Sequence, residues 1–274
     1  MTLLERSKES LSQLVYTLLM VPQAIRFTQK HKLWIGFWRY GWVAKFLVGI
    51  AILIGLRYVI LLFENIFEKP TNDPVSVMMG MGIALKDFAE EGFEVIADGS
   101  FYYVLLILLE IVIFHVCRRT MEILTKKSSN ATFDDFVKAQ VRMIKVAVRS
   151  WVMQSIATIL IKAFFGIHGY LTFMEPILIF GVQCYYLGFA VIDNYTEQFH
   201  LSIHDSSIYA RKFVGVVLAL GLMLNVLLPI PIVGVLLGPV LAAVTVSLVM
   251  YQIADLHILG EKLALQLQRI EQSL

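Results

Sequence analysis

The chain has 274 residues, of which 58% are hydrophobic and 16% are charged, and its net charge is +2. Soluble domains hold about 25% charged residues. The composition therefore excludes a soluble domain, a disordered chain and, with only two cysteines, a secreted disulfide scaffold. The small net charge gives no indication of a nucleic-acid partner. We predict an all-α integral membrane protein whose main partner is the lipid bilayer.

Residues 1–41 are predicted to form a cytoplasmic amphipathic region. We expect no cleavable signal peptide, because charged residues interrupt any apolar core. Apolar residues recur at helical spacing instead, which is typical of a helix lying on the inner leaflet. Near its end, Lys30 and Lys32 are candidate anion ligands, although the same charges also suit anionic lipid or a cytoplasmic location alone. The apolar residues are Leu4, Leu11, Leu14, Val15, Leu18 and Leu19.

The membrane domain is predicted to cover residues 42–254 and to contain six apolar segments. A helix needs about 20 residues to cross the hydrocarbon core, and two of the segments hold only 16 residues each. We therefore predict a helical bundle that combines full spans with short, hemi-penetrating helical hairpins. The segments are 42–63, 101–117, 150–165, 170–192, 213–228 and 232–254.

Glu110 lies in the middle of the second segment. An unpaired charge at the bilayer centre costs about 2.5–3.5 kcal/mol. We therefore expect this carboxyl group to be protonated, paired or in contact with a water-filled cavity. A role in a pore or in ion coupling is one interpretation, and a hydrogen bond that only packs two helices together is the other.

The loop charges predict the orientation in the membrane. Loop 64–100 contains two basic and eight acidic residues, whereas loop 118–149 contains eight basic and three acidic residues. The positive-inside rule then places the N-terminus and loop 118–149 in the cytoplasm and loop 64–100 outside. Residues 255–274 are predicted to form a cytoplasmic amphipathic helix. Arg118 and Arg119 open the basic loop and are candidate anion ligands, although the positive-inside rule alone also explains them.

Residues 213–254 contain no Asp, Glu, Lys or Arg. A single helix of this length would be roughly 63 Å long, about twice the thickness of the hydrocarbon core. Pro229 and Pro231 remove backbone donors and prevent a continuous helix, so the stretch is predicted to form a hairpin. We assign Pro239 to the same turn structure.

No motif of a nucleophilic, nucleotide-binding or zinc-dependent enzyme is present. We predict no enzyme, no catalytic residue, no metal and no cofactor. His200 and His204 are four residues apart, close to Glu197 and Asp205, and would share a face that suits a metal if they lay on one helix. A polar loop between membrane segments is the alternative.

Several short stretches of the sequence are similar to those of a known protein family. They are Gln183-Cys-Tyr-Tyr-Leu-Gly-Phe-Ala-Val-Ile-Asp193-Asn194-Tyr195, Arg211-Lys212-Phe213 and Leu228-Pro229-Ile230-Pro231-Ile232-Val233-Gly234, with Pro239 eight residues after Pro231. Together with the stretch from Ala24 to Trp34, they resemble the CysZ / etoposide-induced 2.4 family of membrane proteins. The resemblance implies a fold that mixes full spans with hemi-penetrating hairpins, and assembly into oligomers.

Bacterial members of that family are inner-membrane sulfate permeases, and eukaryotic members are endoplasmic-reticulum proteins linked to autophagy. Two features of the permeases are absent, so their sulfate site does not transfer residue by residue. A Gly-Leu-Asn turn is replaced by Val116-Cys117-Arg118-Arg119, and an arginine pair before the first span is replaced by Leu33-Trp34-Ile35-Gly36.

We expect a permease or channel for a small solute, an oxyanion such as sulfate. It would be a homo-oligomer in a bacterial inner membrane or, in a eukaryote, in the endoplasmic reticulum. The alternative is a non-transporting protein of the same family that shapes or scaffolds a membrane.

Overall fold

The computed structural model describes residues 3–35, 45, 46, 49, 50, 52, 53, 56, 100–127, 133–167, 173–228, 230 and 233–256. Within these residues the fold consists of seven helices without a strand, which confirms the all-α prediction. The helices are α1 (Leu3–Lys30), α2 (Ser100–Thr125), α3 (Phe133–Ile167), α4 (Glu175–Glu197), α5 (Ile203–Ala210), α6 (Val214–Leu227) and α7 (Val233–Ile253).

Parts of several predicted regions lie outside the described residues. They include most of the first apolar segment, loop 64–100 except Ser100, and the C-terminal helix beyond Leu256. Pro229 and Pro231 of the predicted turn also lie outside. The residues of the first segment that are described are helical.

Three helices are long and apolar enough to cross a membrane, namely Asp134–Ile167, Glu175–Glu197 and Gly234–Ile253. Helices α5 and α6 meet the same criterion together, but they are bent by 99° at a short break. The described residues therefore provide three candidate spans, or four if the bent pair is one broken span or re-entrant loop.

Most of the predicted basic loop 118–149 is helical, so its assignment as a loop was wrong. Helix α2 continues to Thr125, and α3 begins at Phe133. Asp134 and Asp135 favour this start, because the N-terminal end of a helix dipole is positive. The charges mark the exposed side of a helix and not a loop. The exposed basic residues in the part of α3 that belongs to the predicted loop are Lys138, Lys145 and Arg149.

Helix α1 packs along α6 and α7. The side-chain amide of Gln13 donates to the carbonyl oxygen of Lys212 at 3.3 Å, and its oxygen accepts from the N–H of Gly215 at 3.3 Å. The hydroxyl of Tyr16 donates to Gln252 on α7. The opposite side of α1 carries an exposed row of apolar residues, which we call the leucine stripe. Its members are Leu4, Leu11, Val15 and Leu19.

Helices α4 and α6 cross at two glycines. A Cβ atom on Gly188 would lie 1.9 Å from the carbonyl oxygen of Val217, and one on Gly221 would lie 1.8 Å from that of Cys184. One glycine on each helix therefore lets the two backbones approach closely, as small residues do where membrane helices pack together. The crossing thus packs α4, which carries the buried polar residues Asp193 and Asn194, against α6.

Helices α6 and α7 follow each other in the chain, on either side of the predicted proline turn, and pack against each other. A Cβ atom on Gly234 would lie 1.7 Å from the carbonyl oxygen of Leu227, so the start of α7 passes too close to α6 for any side chain. Pro239 lies inside α7 and not in the turn, which corrects our assignment. Its backbone nitrogen carries no hydrogen, so it cannot donate to the carbonyl oxygen of Val235, four residues earlier in the helix.

Candidate functional site

Polar side chains are buried inside the bundle, while many large apolar side chains are exposed. Buried polar or charged residues occur on all seven helices. In contrast, Ile159 and Leu160 of α3 are each 64% exposed. Most buried residues are apolar, but this number of large apolar side chains at the surface is unusual for a soluble protein. Two groups have the geometry of a site. The interior cluster comprises Glu110, Arg142, Asp193, Asn194, Glu197 and Ser206, and the arginine pair comprises Arg118 and Arg119.

Glu110 is the most deeply buried acid of the interior cluster, with 1% of its surface exposed. Its Oε2 accepts a hydrogen bond from the side-chain amide of Asn194, on α4, at 3.2 Å. Its Oε1 has no hydrogen-bond partner among the described residues. The structure therefore pairs Glu110 with another helix, and one carboxyl oxygen remains available to a donor that enters the interior.

Arg142 joins three helices within the interior cluster. Its Nε and Nη2 donate to the two carboxylate oxygens of Asp193, each at 2.8 Å. Nη1 donates to the carbonyl oxygen of Leu201 at 2.6 Å, and Nη2 also donates to the hydroxyl of Ser206 at 3.0 Å. A carboxylate oxygen of Glu197 lies 3.9 Å from Nε. All three guanidinium nitrogens are thus bonded to protein atoms, and the residue ties α3 to α4 and α5.

Sequence reasoning missed Arg142, because we counted it among the charges of a loop. Its position relative to neighbouring apolar residues could have identified it. Arg142 lies three residues after Ala139 and four residues before Val146, both of which are buried. Lys138 and Lys145 fall outside this register and are exposed. A basic residue in register with buried apolar residues indicates a buried charge that needs a partner.

A tight turn separates α4 from α5. The N–H of His200 donates to the carbonyl oxygen of Glu197 at 2.8 Å, and its φ of 59° is the left-handed conformation that commonly ends a helix. Ser202 caps α5 by accepting from the N–H of Asp205. His204 lies on this new helix, so the shared helical face considered for a metal does not exist. Within the described ranges, no group of three or more His, Cys, Asp or Glu could hold a metal.

The arginine pair lies near the C-terminal end of α2. Nη1 of Arg119 donates to Oε2 of Glu122 at 2.8 Å, and Nε of Arg118 lies 3.9 Å from Oε1 of the same carboxylate. The Arg118 side chain is 14% exposed. Nε and Nη1 of Arg118 and Nε of Arg119 are nevertheless buried, without a hydrogen-bond acceptor in the part of the chain that the structure describes. These three guanidinium nitrogens are available to an acceptor.

Lys30 and Lys32, the other predicted anion ligands, are exposed at the end of α1 and in the following turn. The next residue, Leu33, is buried, and its carbonyl oxygen accepts from Nε2 of His115 at 2.9 Å. This bond holds the turn against α2, about one helical turn before Arg118. The structure therefore brings the turn that carries the lysines towards the arginine pair, but it leaves both lysine side chains at the surface.

Comparison of the chain with protein-family models, curated proteins and solved structures gives no match.

Proposed function

We propose that the protein is an integral membrane permease or channel for a small oxyanion such as sulfate, and that Arg118 and Arg119 bind the anion. The observation that carries the proposal is the set of buried guanidinium nitrogens without an acceptor in the described structure. Leaving a buried donor unsatisfied costs about 1–3 kcal/mol, and more on a charged group. An oxyanion offsets this cost, because guanidinium groups form paired, charge-assisted hydrogen bonds with such ligands.

The exposed apolar surface supports a location in the membrane. Each candidate span contains an apolar stretch of 18 residues. Only 17% of this stretch is buried inside the protein in α3 and 44% in α4, compared with 72% in α7. Soluble proteins rarely expose apolar patches larger than a few hundred Å². We infer that lipid covers α3 and α4, with α7 nearer the centre of the bundle.

The interior cluster supports a polar route through the bundle. A hydrophilic solute needs polar groups to replace its hydration in the hydrocarbon region, and intramembrane acids commonly mark such routes. We assign a pore or coupling role to Glu110, whose unpartnered oxygen can meet a passing donor. The resemblance of residues 183–250 to the CysZ / etoposide-induced 2.4 family supports the same class of substrate.

The test is uptake of radiolabelled sulfate into liposomes that contain the purified protein. We expect saturable uptake, and a rate about tenfold lower in Arg118→Gln/Arg119→Gln, since a hydrogen bond to a charged group contributes about 1.5–3 kcal/mol. The matched control, Lys145→Gln/Arg149→Gln, removes two exposed charges of α3 and should retain the wild-type rate. Glu110→Gln can keep the bond from Asn194 but loses the group that can exchange a proton, so its uptake should be slower than that of the wild type.

Absence of uptake for sulfate, phosphate, sulfite and chloride would contradict the proposal. The phosphate group of an anionic lipid could bind the arginine pair as a free oxyanion does. The assay is therefore carried out in vesicles with anionic lipid and in vesicles without it. Retention of anionic lipid by the wild type and not by the double variant, together with no uptake, would assign the arginine pair to lipid and would also contradict a permease.

A second candidate function is a non-transporting protein that shapes or scaffolds a membrane. The leucine stripe favours it, because its four large apolar side chains are exposed on the side of α1 that faces away from the bundle. Such a helix can insert into one leaflet and bend it. This function predicts no uptake in the assay above, and vesicle deformation that is lost when Leu11 and Leu19 are replaced by glutamine.

A further inference from the structure

Glu122 is an acidic residue inside the arginine pair's own site. Its side chain is only 10% exposed. One carboxylate oxygen accepts from Arg119 at 2.8 Å, and the other lies 3.9 Å from Nε of Arg118. A carboxylate and an oxyanion offer the same kind of oxygen to a guanidinium group. Glu122 therefore holds the position of a ligand with respect to both arginines.

We infer that Glu122 is an internal counter-ion that competes with the transported anion and thereby weakens its binding. This inference rests on the proposed function, because it concerns the same two arginines. Competition from Glu122 weakens the binding of the anion, so the anion can leave the site after it has entered. Conduction and transport both require such release. Glu122 also stabilises the empty site, because its negative charge offsets the repulsion between two adjacent cations.

The geometry explains why Glu122 does not fill the site itself. It lies three and four residues after the two arginines on the same helix, within the range of ordinary helical ion pairs. From this position its carboxylate bonds to Nη1 of Arg119, but it leaves three other guanidinium nitrogens without an acceptor in the described residues. The charge of the site is thus partly balanced, while most of its hydrogen bonds remain for a free anion.

Charge balance predicts which anions are affected most. The arginine pair and Glu122 together carry a net charge of +1, which a bound dianion converts to −1. Replacing Glu122 by glutamine raises the charge of the empty site to +2, so a dianion then neutralises it. The change should favour sulfate over chloride, since the additional attraction is proportional to the charge of the ligand.

The test measures the thermal unfolding midpoint of the purified protein at increasing sulfate concentrations. The protein is kept in neutral detergent without anionic lipid. For Glu122→Gln we expect the dissociation constant for sulfate to fall about tenfold relative to the wild type, because a like charge a few Å away is removed. The fall for chloride should be smaller. Asp134→Asn is the matched control, because it removes an acid whose side chain is 72% exposed, and it should bind sulfate as the wild type does.

Glu122→Asp is the second variant if Glu122→Gln does not fold. It keeps the charge but shortens the side chain, so its carboxylate competes less well and sulfate binding should tighten to a smaller extent. Equal or weaker sulfate binding in the folded variant would overturn the counter-ion role while leaving the proposed function intact. A wild type that sulfate does not stabilise, and that behaves like Arg118→Gln/Arg119→Gln, would overturn the proposed function itself.

Discussion

Arg118 and Arg142 are half-buried on neighbouring helices and differ in their hydrogen-bond partners. Every nitrogen of the Arg142 guanidinium donates to a protein oxygen. Arg118 has only a 3.9 Å ion pair, and two of its nitrogens lack an acceptor in the described structure. A saturated guanidinium group stabilises the fold, whereas an unsaturated one can bind a ligand. This difference in hydrogen bonding, and not the charge alone, separates a structural role from a binding role.

Replacing Arg142 by glutamine should destabilise the protein by about 3 kcal/mol, since it leaves a buried carboxylate without its cation. That carboxylate, on Asp193, is only 4% exposed. The additional substitution Asp193→Asn should recover part of the loss, because the two groups are coupled. Unfolding of the detergent-solubilised variants measures both effects. Lys145→Gln, at an exposed position of the same helix, is the control, and equal stability of Arg142→Gln and this control would refute the prediction.

At the scale of elements, the sequence predicts helices best where charge is absent. The turn between α6 and α7 was expected from the prolines and from an apolar stretch too long for one helix. Helix α3 was expected to be half as long, because its first half is rich in charges that resembled a loop. The packing of α4 on α6 was not expected, because a glycine inside an apolar run does not show which backbone approaches it.

The α4–α6 crossing predicts opposite effects for two glycines of α4. Gly188→Ala should destabilise the protein by about 2 kcal/mol, because the new Cβ atom meets backbone atoms of α6, the nearest at 1.9 Å. Gly181→Ala meets nothing within 4 Å. It should therefore stabilise the helix by about 0.5–1 kcal/mol through the higher helix propensity of alanine. The two unfolding midpoints measure this, and a midpoint for Gly188→Ala at or above that of Gly181→Ala would be the opposite result.

At the scale of the whole molecule, the described residues form a mainly apolar core that encloses a few polar side chains, and many large apolar side chains are exposed. Composition predicted a membrane protein, and the lengths of the apolar segments predicted helices; the described residues confirm the all-α fold. Glu110 was found in the sequence because it is the single acid in its apolar segment. Its partner Asn194, 84 positions further along the chain, could not be found in the same way. Contacts between distant helices depend on the crossing geometry, which no local pattern encodes.

We propose that the half-buried arginine pair, three of whose guanidinium nitrogens lack an acceptor in the described structure, binds a small oxyanion. The most direct measurement is equilibrium binding of radiolabelled sulfate to the purified protein in neutral detergent. We predict one saturable site in the wild type, retained in Lys145→Gln/Arg149→Gln and lost in Arg118→Gln/Arg119→Gln. Sulfate binding that persists unchanged in the folded Arg118→Gln/Arg119→Gln protein, or its absence from the folded wild type, would contradict the claim.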